Sequence, residues 1–125
     1  MSKWRYFKRE EFACKHCGQN LIDDVFVTEL DDLRHHLGFS LVISSGYRCP
    51  EHNAKVSSTG RTGPHTTGRA ADLAVSHGRA YEVLQAAMVM KFTGIGVNQK
   101  GTARFIHLDN LPNAPGQPRP TVWSY

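Results

Sequence analysis

The clearest periodic pattern in the chain predicts an amphipathic helix that begins near residue 24. The apolar positions that recur at helical spacing are Phe26, Leu30, Leu33 and Leu37. Together they form a stripe along one helical face, as expected for a helix that packs against a core. Asp23 and Asp24 are residue types that cap a helix at its N-terminus, and Gly38 stands where such a helix would end.

The remaining pattern predicts two further helices and four short strands. Helices are expected at residues 50–56, where Pro50 can take the first helical position, and at residues 78–91. Short apolar runs predict strands at residues 41–43, 70–75, 94–97 and 104–108. Residues 57–68 are rich in Ser, Thr and Gly and indicate a loop. Residues 111–125 contain four prolines and are expected to form an irregular ordered arm or a loose tail.

The order of these elements favours an α+β fold with a small, mostly antiparallel sheet flanked by helices. Helices and strands alternate without a βαβ rhythm, and no glycine-rich phosphate-binding loop is present. A chain of 125 residues can bury one hydrophobic core. We therefore expect a single domain over residues 1–125, in which residues 1–20 form an N-terminal segment.

The composition narrows the choice of partners. Hydrophobic residues make up 40% and charged residues 21% of the chain, and no apolar run approaches the roughly 20 residues that span a bilayer. The first residues lack the features of a secretory signal, so the expected location is the cytoplasm, or the cell wall after release by lysis or a dedicated channel. The net charge of +4 suits an anionic partner such as a cell wall, but the basic residues are scattered and form no nucleic-acid-binding motif.

Two separated stretches carry residues of metal-ligating type. His65 and Asp72 flank Gly68, which allows the chain to turn between them, and His107 lies in a predicted strand with Asp109 on the same face. Two imidazoles and one carboxylate suit zinc, and three protein ligands leave a fourth position for an activated water. The chain has seven histidines, so this spacing alone leaves a chance pairing open.

Three motifs in order resemble the zinc D-alanyl-D-alanine carboxypeptidase family, which has the Hedgehog/DD-peptidase fold. They are residues 45–53 (S-G-Y-R-C-P-E-H-N), residues 65–72 (H-T-T-G-R-A-A-D) and residues 105–109 (F-I-H-L-D). The last residues, 119–125, are also similar to a common ending of the family. The resemblance implies one catalytic zinc ion with His65, Asp72 and His107 as ligands.

The same resemblance assigns roles to further residues. Arg48 falls on the arginine of the first motif, where its guanidinium suits a substrate carboxylate or an oxyanion; a structural ion pair with an acid is the alternative. Many relatives carry a glutamate three residues before the last histidine ligand, and Arg104 stands there in this chain. Asp109 is the remaining nearby carboxylate, either as general base or as the group that orients His107.

The activity implied by the resemblance is hydrolysis of peptide bonds in bacterial peptidoglycan stem peptides. Carboxypeptidase action on D-Ala-D-Ala and endopeptidase action, as in a phage or prophage endolysin, both remain open. The alternative is a non-catalytic module that keeps zinc and binds the cell wall or forms part of a virion. We expect a monomer, with substrate contacts from Arg48, Tyr47, Ser58 and Trp123.

Three cysteines form a further candidate site. Cys14 and Cys17 give a C-x-x-C spacing, and Cys49 is followed by His52 in a C-x-x-H spacing. Together these spacings are typical of a structural zinc site. A disulfide between Cys49 and one N-terminal cysteine, or three free thiols, are the alternatives, and a reducing cytoplasm weighs against the disulfide.

Overall fold

The helices of the structure, a computed structural model that describes residues 3–125, lie close to their predicted positions. They are α1 (Asp24–Leu37), α2 (Pro50–Val56) and α3 (His77–Val89). Two short 3₁₀ turns, Arg9–Phe12 and Pro64–Thr67, precede α1 and β2. The strands are β1 (Ile43–Ser45), β2 (Ala70–Leu73), β3 (Gly94–Asn98), β4 (Phe105–Asp109) and β5 (Thr121–Ser124).

Helix α1 has both of the ends that the sequence predicts. The Asp23 side chain accepts a hydrogen bond from the backbone N–H of Phe26, which satisfies one of the free amides of the first turn. Gly38 ends the helix in the left-handed conformation at φ 77°, which costs glycine little because it has no Cβ. The predicted stripe is buried through Leu33 and partly buried at Leu37.

The strands form one sheet in the order β1-β2-β4-β3-β5. Neighbouring strands are antiparallel except β3 and β5, which are parallel. The predicted α+β class with a mostly antiparallel sheet is therefore confirmed. In the β2–β4 pair, Asp72 stands directly opposite His107, so these two side chains point to the same side of the sheet.

Two predictions at the sheet edges were wrong in detail. The run Leu41-Val42-Ile43 was expected to be a buried strand, but the strand begins only at Ile43, and Val42 is exposed and pairs through its carbonyl alone, which accepts from the N–H of Ala74 at 2.9 Å. The C-terminal arm was expected to be irregular, yet Thr121–Ser124 forms β5. Its prolines all precede this strand, so they do not interrupt its hydrogen bonds with β3.

Helices α1 and α3 pack over one face of the sheet. The core on this face contains Phe26, Leu30, Val83, Ile106 and Leu108. Because successive side chains in a strand alternate, burial of Ile106 and Leu108 on this side turns His107 and Asp109 to the opposite face. No helix within residues 3–125 has the length and apolar character needed to cross a membrane.

The N-terminal segment packs against the loop that follows β1. The backbone N–H of Tyr47 donates to the carbonyl of Phe12 at 2.8 Å. A Cβ at Gly46 would lie 2.6 Å from the Phe12 backbone, so this close approach requires glycine. The segment before Phe12 is also tied to α1, where buried Asp31 accepts hydrogen bonds from the backbone N–H groups of Arg5 and Tyr6.

Candidate metal centre

Three polar side chains meet on the sheet face opposite α1 and α3. His65 Nε2 lies 3.2 Å from Asp72 Oδ1, and His107 Nδ1 lies 3.3 Å from each of these two atoms. All three side chains are buried, although each is polar. Burial of such groups is costly unless they are paired or coordinate a metal.

The separations between these atoms fit a tetrahedral zinc ion. Histidine nitrogens and carboxylate oxygens bind zinc at about 2.0–2.1 Å, so two such ligands of a tetrahedral ion lie about 3.3–3.4 Å apart. The three observed separations, 3.2, 3.3 and 3.3 Å, fall at this value within about 0.1–0.2 Å. The group therefore has the donor types and spacing of a site that holds zinc with three protein ligands.

Local structure explains how each ligand reaches the site. His65 lies in the 3₁₀ turn Pro64–Thr67, which Gly68 ends in the left-handed conformation at φ 77°. A Cβ at Gly68 would come within 2.0 Å of the Leu21 carbonyl oxygen, so the turn can pack this closely only with glycine. Asp72 and His107 are opposed residues of β2 and β4.

Each histidine is oriented through its other ring nitrogen. His65 Nδ1–H donates to the carbonyl of Gly46 at 2.8 Å, and His107 Nε2–H donates to Asp109 Oδ2 at 2.7 Å. Both partners are acceptors, so the proton of each neutral ring occupies these nitrogens. In the neutral rings the lone pairs of His65 Nε2 and His107 Nδ1 are then directed at the metal position, and a ring that gains a second proton donates from the same nitrogen to Asp72.

The electrostatics of the group favour charged carboxylates. Burial opposes ionisation of Asp72, but hydrogen bonds with His107 and His65 outweigh it and hold the pKa of Asp72 below its usual range. For Asp109, burial is outweighed by hydrogen bonds with His107 and Arg119, which lower its pKa to about 2. Burial lowers the pKa of His107, but its hydrogen bonds with Asp109 and Asp72 reverse this and raise it.

Arg48 is held beside Asp72, the carboxylate among the three metal-ligand candidates. Its Nη2 donates to Asp72 Oδ2 at 3.4 Å, its Nη1 to Asn53 Oδ1 at 3.0 Å and its Nε to Ser45 Oγ at 3.1 Å. These bonds use three of the five N–H donors of a guanidinium, so within residues 3–125 two remain for another acceptor. Asn53 was not singled out from the sequence, although it belongs to the same motif as Arg48.

Asp109 lies behind His107, where Arg119 encloses it. Arg119 Nε and Nη2 donate to the two carboxylate oxygens at 2.9 and 2.8 Å, and the carboxylate is fully buried. A Cβ at Gly94 would lie 2.2 Å from this carboxylate, so glycine at that position of β3 leaves the space that Asp109 occupies. Arg119 was missed in the sequence because it lies in the segment predicted to be irregular.

Trp123 lies against the site from β5. Its ring centroid is 4.9 Å from that of His107. The indole also packs against Gly96 in β3, where a Cβ would lie 2.7 Å from Trp123 Nε1. Tyr125 follows two residues later, and its ring lies 5.1 Å from that of Phe105. Burial raises the pKa of Tyr125, so its hydroxyl keeps its proton at neutral pH.

The other two predicted substrate contacts lie in different surroundings. Tyr47 is buried in a small cluster with Cys14 and Cys49, which argues against direct contact with a substrate. Ser58 is exposed in the loop after α2, so its role stays a prediction.

The three cysteines converge in a second group. The sulfur atoms of Cys14, Cys17 and Cys49 all lie within 4.8 Å of one another, and none is in a disulfide. Burial raises the pKa of the Cys14 thiol, but hydrogen bonds from the backbone amides of Cys49, Cys17 and His16 outweigh it and lower the pKa to about 7. Neither His52, the fourth residue of the predicted site, nor His16 lies within this distance of all three sulfurs; His16 is that close to Cys49 and Glu51.

The chain matches the model of one known protein family. A search of curated proteins finds no match to the chain. The family model described as Peptidase M15 matches residues 5–109, which include the three metal-ligand candidates, Arg48 and Asp109. The α+β architecture is compatible with the Hedgehog/DD-peptidase fold of that family. The chain therefore belongs to the Peptidase M15 family of zinc-dependent metallopeptidases.

Proposed function

We propose that this metallopeptidase hydrolyses peptide bonds in the stem peptides of bacterial peptidoglycan. The observation that carries the proposal is the position of Arg48 beside Asp72, at the edge of a three-ligand zinc site. A positive side chain with two free N–H donors next to the metal suits a peptide substrate that ends in a carboxylate or forms an oxyanion. The family match and the three ordered motifs support the same substrate class.

The ligands and their partners define the chemistry. Zinc held by His65, Asp72 and His107 would polarise a peptide carbonyl and make water a better nucleophile at neutral pH. Arg48 balances charge next to Asp72 and binds the substrate oxygen with its two remaining donors. Gly46 and Asp109 keep the two imidazole rings in the orientation that binding requires.

We assign Asp109 the orienting role rather than that of general base. Its oxygens accept hydrogen bonds from His107 Nε2 and from two nitrogens of Arg119, and its side chain is fully buried. A general base must reach the proton that it removes. The carboxylate instead contacts the side of the His107 ring that faces away from the metal-ligating nitrogen.

Trp123 and Tyr125 are suited to form one wall of a substrate subsite. The half-buried indole lies against His107, and the partly exposed tyrosine can donate a hydrogen bond while its hydroxyl is protonated. An aromatic surface with a polar edge can bind the apolar part of a stem peptide and still satisfy its backbone groups.

The experiment is digestion of purified peptidoglycan sacculi, followed by mass spectrometry of the soluble muropeptides. Release of a terminal D-alanine would identify a carboxypeptidase, and loss of cross-linked dimers would identify an endopeptidase. A chelator should abolish either activity, added zinc should restore it, and His65→Ala should be inactive. The absence of chelator-sensitive cleavage across several peptidoglycan types would exclude the proposal.

One observation favours a second candidate, a zinc-containing module that binds the cell wall or a virion without cutting. Arg104 occupies the position where many relatives carry glutamate, and its Nε donates to the carbonyl of Gly101 in the β3–β4 turn. Such a module would sediment with sacculi and release no fragment from them. Zinc-dependent binding without any product separates it from the enzyme.

A further inference from the structure

The three cysteine sulfurs join two parts of the chain that are distant in sequence. Cys14 and Cys17 lie in the N-terminal segment, whereas Cys49 immediately precedes α2 and follows Arg48. Their sulfur atoms lie within 4.8 Å of one another. Zinc–thiolate bonds of about 2.3 Å place the sulfurs of a tetrahedral site about 3.8 Å apart, so the three lie close to the spacing that such a site requires.

Backbone amides are directed at these sulfurs, as expected for thiolates. Cys14 Sγ accepts from the N–H of Cys49 at 3.4 Å, and Cys49 Sγ accepts from the N–H of His52 at 3.4 Å. Gly18 takes φ 79°, and its N–H donates to the Cys14 carbonyl at 2.8 Å, which closes a tight turn around the C-x-x-C pair. N–H groups that point at sulfur stabilise negative charge on it.

A histidine is available for the fourth position. His16 Nδ1 lies 3.6 Å from Cys49 Sγ, and because its ring is not within 4.8 Å of all three sulfurs, it would move towards Cys14 and Cys17 to complete the site. A nitrogen and a sulfur bound to one tetrahedral zinc ion are about 3.6 Å apart, which equals this separation. The His52 ring stacks on that of His16, with centroids 5.4 Å apart and planes 6° from parallel, and so supports its orientation.

We propose that Cys14, Cys17 and Cys49, together with His16, form a second and structural zinc site. The three thiols lose their protons to solvent when the ion binds, and no oxidation is involved. The ion would join the N-terminal segment to the loop that carries Tyr47 and Arg48. This proposal is independent of the peptidase activity proposed above, because it concerns none of the three ligands of the first centre.

Cobalt is a probe that separates the two sites in one protein. Co²⁺ bound to thiolates gives an intense sulfur-to-metal charge-transfer band, whereas a site of two imidazoles and a carboxylate contains no sulfur. The full chain, purified under reducing conditions, should bind two zinc ions, and after exchange it should show the cobalt–thiolate band. Cys49→Ser should lose this band and one ion. Asp72→Asn should weaken binding at the other site and keep the band.

A second measurement on the unaltered chain covers the case in which Cys49→Ser does not fold. A mercurial thiol reagent should release one zinc ion per chain, detected with a metal-sensitive dye, while the other ion remains. Absence of the cobalt–thiolate band in the full chain would overturn the proposal. A disulfide, seen as a mass lower by two hydrogens with a single titratable thiol in the reduced preparation, would also overturn it.

The fourth ligand has its own test. His16→Ala should lower the zinc affinity of the thiolate site by at least about tenfold, whereas His52→Ala should change it by no more than about threefold. A larger loss in His52→Ala than in His16→Ala would overturn the assignment of His16.

Discussion

Arg119 and Asp109 are joined by two hydrogen bonds of 2.9 and 2.8 Å, one to each carboxylate oxygen, and the carboxylate is fully buried. Asp109 also accepts a hydrogen bond from His107 at 2.7 Å, so a residue that precedes β5 is connected to a metal-ligand candidate in β4 through one carboxylate. The C-terminal arm thus belongs to the metal centre, although it supplies none of its three ligands.

Replacement of Arg119 should weaken zinc binding. Arg119→Leu leaves the Asp109 carboxylate buried without its cation, which disturbs the group that orients His107. Loss of such an outer partner typically lowers metal affinity about 10–100-fold. Competition with a chromophoric chelator measures the change. Arg104→Leu, at a more exposed arginine in the β3–β4 turn, should keep the wild-type affinity. Equal affinities for Arg119→Leu and wild type would contradict the role.

Asp109→Asn distinguishes orientation from proton transfer. The asparagine has one acceptor oxygen for donors on two sides, and its amide group would oppose either His107 or Arg119. We expect zinc affinity to fall about 10–100-fold, while the zinc-saturated variant retains turnover within a few-fold of wild type. Turnover and zinc content must be measured on the same sample. Full zinc occupancy combined with a large loss of turnover would show that Asp109 acts as the base.

Gly94 should tolerate no side chain. Gly94→Ala places a Cβ where the buried Asp109 carboxylate now lies, at 2.2 Å. Overpacking of this kind typically costs about 1–3 kcal/mol in the free energy of unfolding, which urea denaturation can measure. The matched control is Gly78→Ala near the start of α3, where the added Cβ meets no atom within 4 Å. This control should be neutral or slightly stabilising, and an equal loss in both variants would contradict the explanation.

Ionisation of Asp31 should make the free energy of unfolding depend on pH in the acid range. Burial opposes its ionisation, but hydrogen bonds from the Arg5 side chain and from the Tyr6 and Arg5 amides lower its pKa in the folded state. A carboxyl whose pKa is lower when folded stabilises the fold above the unfolded pKa of about 3.9, and this contribution is lost as the pH falls through the folded pKa. The difference in free energy of unfolding between wild type and Asp31→Asn should therefore be constant from about pH 5 to 7 and narrow below about pH 4.

Denaturation of wild type and Asp31→Asn at several pH values tests this prediction. Asp32→Asn is the matched control, because Asp32 neighbours Asp31 and contacts the same Arg5 but is exposed. We expect its effect on stability to be much smaller. A difference between wild type and Asp31→Asn that does not change between pH 3 and 7 would refute the assignment.

The elements defined by local sequence could be predicted. Helix α1 was predicted from an apolar stripe between Asp23 and Gly38, and both ends are determined by side-chain or backbone properties of those residues themselves. The proximity of Asp72 and His107 could not be predicted from their spacing in the sequence alone. Their motifs indicated a family, and the antiparallel pairing of β2 with β4 then brings them together.

The elements that depend on distant partners could not be predicted in this way. β5 is a short strand after a proline-rich segment, and it forms because the edge of β3 offers hydrogen bonds. The contact of Arg119 with Asp109 requires that strand, and so it left no pattern in the sequence. Tyr47 was predicted to contact substrate, but its side chain is buried in a cluster with Cys14 and Cys49, and the contact with Cys14 is one that the local sequence does not reveal.

Because Asp72 and His107 stand directly opposite each other, metal binding depends on the register between β2 and β4. A slip of one residue between β2 and β4 would turn one ligand into the helix-covered core and leave the other without its partner. An added residue inside β4 should therefore abolish metal binding. Additional residues at positions 100–103, all exposed in the turn before β4, would leave the alignment intact. This turn is thus the place where a peptide tag or a binding loop could be inserted while the centre keeps its geometry.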